Sequence, residues 1–140
     1  MWTTEHTAET TLPRETVWAA LRDLHRGTLT YDGADTFELQ GPFAVGSTVL
    51  VTPVGQGTFT STIVELVEPS TYADRTSFGD LTLLFRHTLV ELERGTRVTH
   101  RLEIDGPSAD EVGPELGPQI SDDFGASMAA LFEAAARVGA

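Results

Sequence analysis

The segment Leu81-Thr82-Leu83-Leu84-Phe85-Arg86-His87-Thr88-Leu89-Val90-Glu91-Leu92, together with Thr96-Arg97-Val98-Thr99-His100-Arg101-Leu102-Glu103-Ile104-Asp105 just after it, decides the fold. In the second half Val98, His100, Leu102 and Ile104 share one face and Arg97, Thr99, Arg101 and Glu103 the other, the period-two pattern of a half-buried strand. With Arg94-Gly95 as a two-residue loop the halves form a hairpin that sets Leu89 opposite His100, His87 opposite Leu102 and Phe85 opposite Ile104. Both histidines then point into the apolar face. A sheet that turns titratable groups inward beside leucines predicts the wall of a cavity.

Outward from the hairpin, Trp2 to Thr10 alternates as a first strand, and Pro13 then opens a helix reaching His25. Glu15 sits near the positive end of its dipole, Val17, Trp18, Leu21 and Leu24 form its apolar stripe, and Gly27 ends it. Short strands follow at Thr36 to Gln40, Ser47 to Thr52, Thr58 to Val67 and Thr71 to Phe78, separated by Gly/Pro/Asp turn chemistry. Past the hairpin, Ser108 and Glu111 have capping-box spacing and predict a helical turn. From Pro118, Ile120, Phe124, Met128, Leu131, Ala135 and Val138 recur at three and four residues, and Leu116 extends the stripe backward. Asp122 and Asp123 early, Arg137 late and Gly139 beyond the end predict one amphipathic helix over at least Gln119 to Arg137.

Composition closes several functional classes. A length of 140 residues suits one domain spanning the chain, with a core that needs neither disulfide nor metal. Cysteine is absent, so thiol catalysis and thiolate metal sites are excluded. All nine basic residues are arginine, which excludes a Schiff-base or P-loop lysine. A net charge of -12 without a basic stripe argues against nucleic acid and against anionic membrane surfaces as partners. The start has no basic and apolar leader pattern and no window is long enough to span a bilayer, so a cytoplasmic protein is expected. The chain lacks a Gly-x-Ser-x-Gly elbow and a dinucleotide-binding glycine fingerprint, and no cofactor is expected. Monomer and homodimer both remain open.

One strand, a helix, six strands and a terminal helix is the order of an α+β helix-grip fold, a seven-stranded antiparallel sheet wrapped around a long C-terminal helix. Leu12-Pro13-Arg14-Glu15-Thr16-Val17-Trp18 resembles the start of the first helix in the START/Bet v 1-like (SRPBCC) superfamily. Gly95-Thr96-Arg97-Val98-Thr99-His100 with Gly106-Pro107 resembles the last hairpin of its bacterial polyketide cyclase/dehydratase-like branch. The likeness covers nearly the whole chain, and its motifs mark structure rather than catalysis. It implies a cavity between sheet and helix for a sterol, lipid, hormone or aromatic polyketide, with cyclase activity in some members. A cone-shaped nuclear-transport-factor-like sheet, with its helices before the strands, and a closed lipocalin-like barrel fit the terminal helix less well.

His87 and His100 are the candidate catalytic residues, because an imidazole in an apolar pocket can accept a proton from an activated carbon or steady a developing enolate. Their alternative role is structural, each hydrogen-bonded to a neighbouring Thr, Tyr or backbone group in the wall. His6 on the first strand joins them in a lateral row if the strand registers agree; no local ligand spacing accompanies the row, and no metal is expected. His6, Tyr72, Phe85, Leu102, Leu116, Phe124 and Met128 are the expected pocket residues, with Tyr31 beside Leu116 at the mouth. Tyr72, Asp74, Thr76 and Phe78 share one face of a strand without a clear apolar side, and Asp74 is expected outward near Arg75. The expected function is binding of a small, largely apolar, polyketide-, lipid- or isoprenoid-like ligand, with cyclase or dehydratase activity as its enzymatic form. A non-catalytic regulator or interaction protein with a vestigial pocket is the alternative.

Overall fold

The computed structural model describes residues 1–31 and 33–138; the Gly139 expected past the terminal helix lies outside them. Strand β1 (Trp2–Thr10) leads into helix α1 (Arg14–His25), and strands β2 (Thr36–Gln40), β3 (Thr48–Thr52), β4 (Phe59–Val67), β5 (Thr71–Phe78), β6 (Leu81–Leu92) and β7 (Gly95–Asp105) follow. Helices α2 (Ala109–Ser121) and α3 (Phe124–Val138) close the chain. All seven strands form one antiparallel sheet in the order β1-β7-β6-β5-β4-β3-β2, so the chain's first strand borders its last. The fold is the expected α+β helix grip.

The sheet has a wet face and a dry face because its strands alternate. On β7, Val98, Leu102 and Ile104 are fully buried, while Arg97 and Arg101 on the other face pair with Glu9, Glu5 and Glu103. Arg86 of β6 extends these outer ion pairs to Glu65 and Glu103. On the inner side Val49, Ile63, Tyr72, Leu89 and Val98 pack with Val17, Trp18 and Leu21 of α1 and with Met128, Leu131 and Ala135 of α3. A second cluster joins Leu81, Leu83, Leu102 and Ile104 to Ala109 and Phe124, with Trp2, Phe85 and Leu116 against it.

The β6–β7 register differs from the expected one by two residues. Leu92 pairs with Gly95, so Glu93-Arg94 is the loop, and His87 lies opposite His100, Phe85 opposite Leu102 and Leu89 opposite Val98. Gly95 has φ +118 just past the loop, where a Cβ would stand 1.9 Å from the Thr10 carbonyl oxygen. The glycine therefore serves a positive-φ position and a close approach to β1 rather than the second loop position. A shift of two keeps parity, and both histidines remain on the inner face.

The terminal segment also differs from the single helix expected over Gln119 to Arg137. It is helical from Ala109 but breaks at Asp122-Asp123. Those carboxylates oppose the dipole at the end of α2 and favour it at the start of α3, where the Asp123 carbonyl accepts from the Ser127 N–H at 2.8 Å. Ser108 forms no capping box; its hydroxyl donates to Asp80 Oδ1 at 2.7 Å. Pro114 and Pro118 lie inside α2, each preceded by a glycine whose missing Cβ relieves the crowding a proline imposes on the residue before it. No helix among the described residues is long and apolar enough to cross a membrane.

Candidate functional site

Between the inner face of the sheet and the two terminal helices lies a cavity of ≈ 560 Å³. The register grid explains which strand residues meet it. One lateral row runs His6, His100, His87, Tyr72 across β1, β7, β6 and β5, and the next inward row runs Thr4, Leu102, Phe85, Asp74. Phe85, His87, His100, Leu116, Phe124 and Met128 line the cavity. Tyr31 reaches it from the loop after α1.

His6, Tyr72 and Leu102, all expected in the pocket, are absent from the lining. Tyr72 and Leu102 are packed into the two apolar clusters, 1% and 0% exposed. His6 lies beneath α3, its ring within 3.5 Å of where a Cβ on Gly125 would stand. Helix α3 thus separates it from the open space.

The aromatic wall is a stack. Phe124 lies on His100 at a centroid distance of 3.9 Å with planes 17° apart, and His100 lies on His87 at 4.0 Å and 24°. Among the described residues His87 Nδ1 and His100 Nε2 are buried with no hydrogen-bond partner, so no bond from those nitrogens to a Thr, Tyr or backbone group ties the rings into the wall. Burial, the largest cause, holds His100 down to about 3, with His25 and His6 adding to it. Burial likewise holds His87 well below the usual imidazole range, with His100 and His25 opposing its charge. Both rings are neutral at pH 7 and weak proton acceptors.

The lining also holds His25, to which the sequence pattern gave no role in the site. His25, at the end of α1, is 4% exposed and sits edge-on to His87 at 5.4 Å and tilted against Tyr72 at 4.2 Å. Its Nδ1 donates to the Leu21 carbonyl at 2.8 Å, which makes Nε2 the acceptor of the neutral ring. Burial lowers its pKa to about 4. The signal was its position four residues after Leu21 on the apolar stripe.

Asp74 corrects the expectation of a solvated carboxylate. It is 5% exposed and faces the cavity, while its neighbour Arg75 points out. The Tyr72 hydroxyl donates to its Oδ2 at 3.0 Å. Burial pushes the Asp74 carboxyl up to about 6, and the Tyr72 hydrogen bond partly offsets that rise. Burial and the Asp74 charge together raise the Tyr72 hydroxyl. Two further polar lining residues, Ser61 and Thr76, hydrogen-bond each other beside it. The β5–β6 loop Gly79-Asp80 carried the missing signal, since it pairs Phe78 with Leu81 and thereby puts Asp74 opposite the inward Phe85.

At the mouth stand Asp35, Asp122 and Asp123. Partial burial and the charge of Asp123 raise the Asp35 carboxyl. Among the described residues no three His, Asp or Glu side chains converge with metal-holding geometry. The site is therefore an aromatic and aliphatic chamber with one deep carboxyl, neutral imidazoles and an acidic rim.

A sequence profile described as polyketide cyclase / dehydrase and lipid transport matches residues 1–136. Comparison with curated proteins gives no match. Among solved structures, norcoclaurine synthase from Thalictrum flavum, a point mutant in complex with a transition-state analogue, superposes with a TM-score of 0.75 at 13% identity, covering 99% of this chain and 96% of that one. Ara h 8.0201 superposes with a TM-score of 0.65 at 19% identity over 96% of this chain and 94% of that one. The di-domain ARO/CYC BexL gives a TM-score of 0.71 at 13% identity over 96% of this chain and 48% of that one. At these identities the likeness to solved structures is one of fold.

Proposed function

The chain belongs to the polyketide cyclase / dehydrase and lipid transport family, and we propose that it binds a small, largely apolar molecule of aromatic or isoprenoid character in the cavity between sheet and terminal helices. The observation that carries this reading is the cavity itself: ≈ 560 Å³, walled by a Phe124–His100–His87 stack and by Phe85, Leu116 and Met128. That volume lies within the roughly 300 to 1,000 Å³ of small-molecule sites, which pair apolar walls with a few fixed polar groups.

In its enzymatic form the site would close a poly-β-ketone ring, and the protonation states divide the roles. A general base works best with a pKa near the working pH, so Asp74, at about 6, is better matched to removing an activated proton than His100, at about 3. Tyr72 positions the Asp74 carboxyl through its hydroxyl. His87 and His100, neutral, would each offer one N–H to a developing enolate oxygen rather than serve as the base.

Purification from the host under native conditions, followed by mass spectrometry of released small molecules, tests the binding reading. A stoichiometric apolar compound is expected with the wild-type protein and less of it with Met128→Trp, whose larger side chain narrows the cavity. A folded wild-type protein that carries no compound and takes up no apolar fluorophore would overturn it.

A further inference from the structure

Resting on the reading of the cavity as a ligand site, we propose that its occupant is cationic: an aromatic or alkyl amine whose ammonium group is held by Asp74 while its apolar body lies against Phe85, His100, Phe124 and Met128. The first ground is the identity of the charges. The lining contains Asp35, Asp74, Asp122 and Asp123 but, among the described residues, no arginine, and the chain has no lysine. The imidazoles of His25, His87 and His100 are neutral at pH 7 and supply no counter-charge.

The second ground is the state of Asp74 itself. This carboxyl is 5% exposed, and Tyr72 satisfies only Oδ2. Among the described residues Oδ1 has no donor and no cation pairs with the group. Its cross-strand neighbours are Ile63 and Phe85, both apolar. Ionised, this carboxyl places on the cavity wall an anion whose one partner among the described residues is the Tyr72 hydroxyl, with no cation to balance it. A ligand ammonium would neutralise it and complete its hydrogen bonding, a neutral ligand would leave the charge unpaired, and an anionic ligand would be repelled by every charged group in the lining. The rim carboxylates act at longer range, raising the local concentration of cations at the mouth.

Three probes with one apolar body separate these cases: naphthylethylamine, naphthylethanol and naphthylacetic acid, titrated calorimetrically into the full chain near pH 7. A charge-assisted hydrogen bond corresponds to roughly tenfold to hundredfold in affinity, so the amine is expected to bind that much tighter than the alcohol, and the acid weakest. Asp74→Asn should bring amine and alcohol within about threefold of each other, a loss of most of that preference. The wild-type comparison stands on its own if that variant fails to fold. An alcohol or acid that binds as tightly as the amine overturns the cationic assignment and leaves the cavity reading intact. A preference that survives Asp74→Asn but vanishes in Asp123→Asn overturns the role of Asp74. If none of the three binds, the cavity reading falls and the proposal falls with it.

Discussion

Helix α2 lies against β1 through two glycines, and replacing the second should destabilise the protein although alanine is the better helix former. A Cβ on Gly117 would stand 2.1 Å from Cζ3, 2.3 Å from Cη2 and 2.6 Å from Cε3 of Trp2. Carbon atoms settle at about 3.5 to 4.0 Å, so the indole or the helix must move by more than about 1 Å. Overpacking of this kind costs about 1 to 3 kcal/mol. The intrinsic gain of alanine over glycine is at most about 1 kcal/mol, and Pro118 reduces it by crowding any Cβ at the preceding residue. Gly117→Ala should therefore lose on the order of 1 to 2 kcal/mol, read as a lower urea midpoint at unchanged slope in circular dichroism. Trp2→Leu removes the three ring atoms in question, and in that background most of the loss should vanish, a coupling of at least about 1 kcal/mol. Gly113→Ala is the control, because a Cβ there meets Trp2 Cβ at 2.5 Å and Cγ at 2.9 Å, atoms that leucine retains. It should not be rescued. A Gly117→Ala protein as stable as wild type, or equal rescue of both glycine variants, would refute the account. Leu116 and Gln119 of the same helix line the cavity, so the displaced helix should also weaken ligand binding.

Gly95→Ala should cost at least about 2 kcal/mol in thermal or urea unfolding, since φ +118 disfavours any Cβ and this one meets the Thr10 carbonyl. Stability should fall as pH drops from about 6.5 towards 4: the folded protein keeps His25, His87 and His100 neutral while the unfolded chain protonates them, so the stability they contribute above pH 6.5 is lost on the way down. Asp74 acts in the opposite sense, stabilising below its unfolded value of 3.8 and losing that contribution as pH rises through about 6. The difference of about two protons corresponds to a slope of up to roughly 3 kcal/mol per pH unit, measurable by urea titrations across that range; a flat profile would contradict the burial of the imidazoles. Asp74→Asn should raise stability above pH 7 by on the order of 1 to 3 kcal/mol, because the buried ionised form is disfavoured there, and the gain should shrink near pH 5. Equal or lower stability at both pH values would show that the carboxylate is compensated within the protein.

Periodicity alone determined much of this molecule. Strict alternation in β1 and β7, turn chemistry between the strands and the three-and-four spacing after Pro118 specify the order of elements and the inward parity of His87 and His100, because side-chain direction depends only on whether a residue number is odd or even along a strand. Parity is also why a hairpin misplaced by two residues still faced both rings inward. Tertiary structure decided what parity cannot. Strand β5 is polar on both faces, so only its pairing with β6 turned Asp74 inward, and only the covering helices made it a buried, half-satisfied carboxyl. The break at Asp122-Asp123 likewise required the competition between two helix termini, which a continuous apolar stripe does not reveal. Which wall residues touch open space depended on how closely α2 and α3 approach the sheet: Trp2 fills the groove left by Gly113 and Gly117, Phe124 stacks on His100, and Tyr72 and Leu102 are sealed behind the lining. Packing distances of this kind arise from side chains far apart in sequence, and no local pattern encodes them.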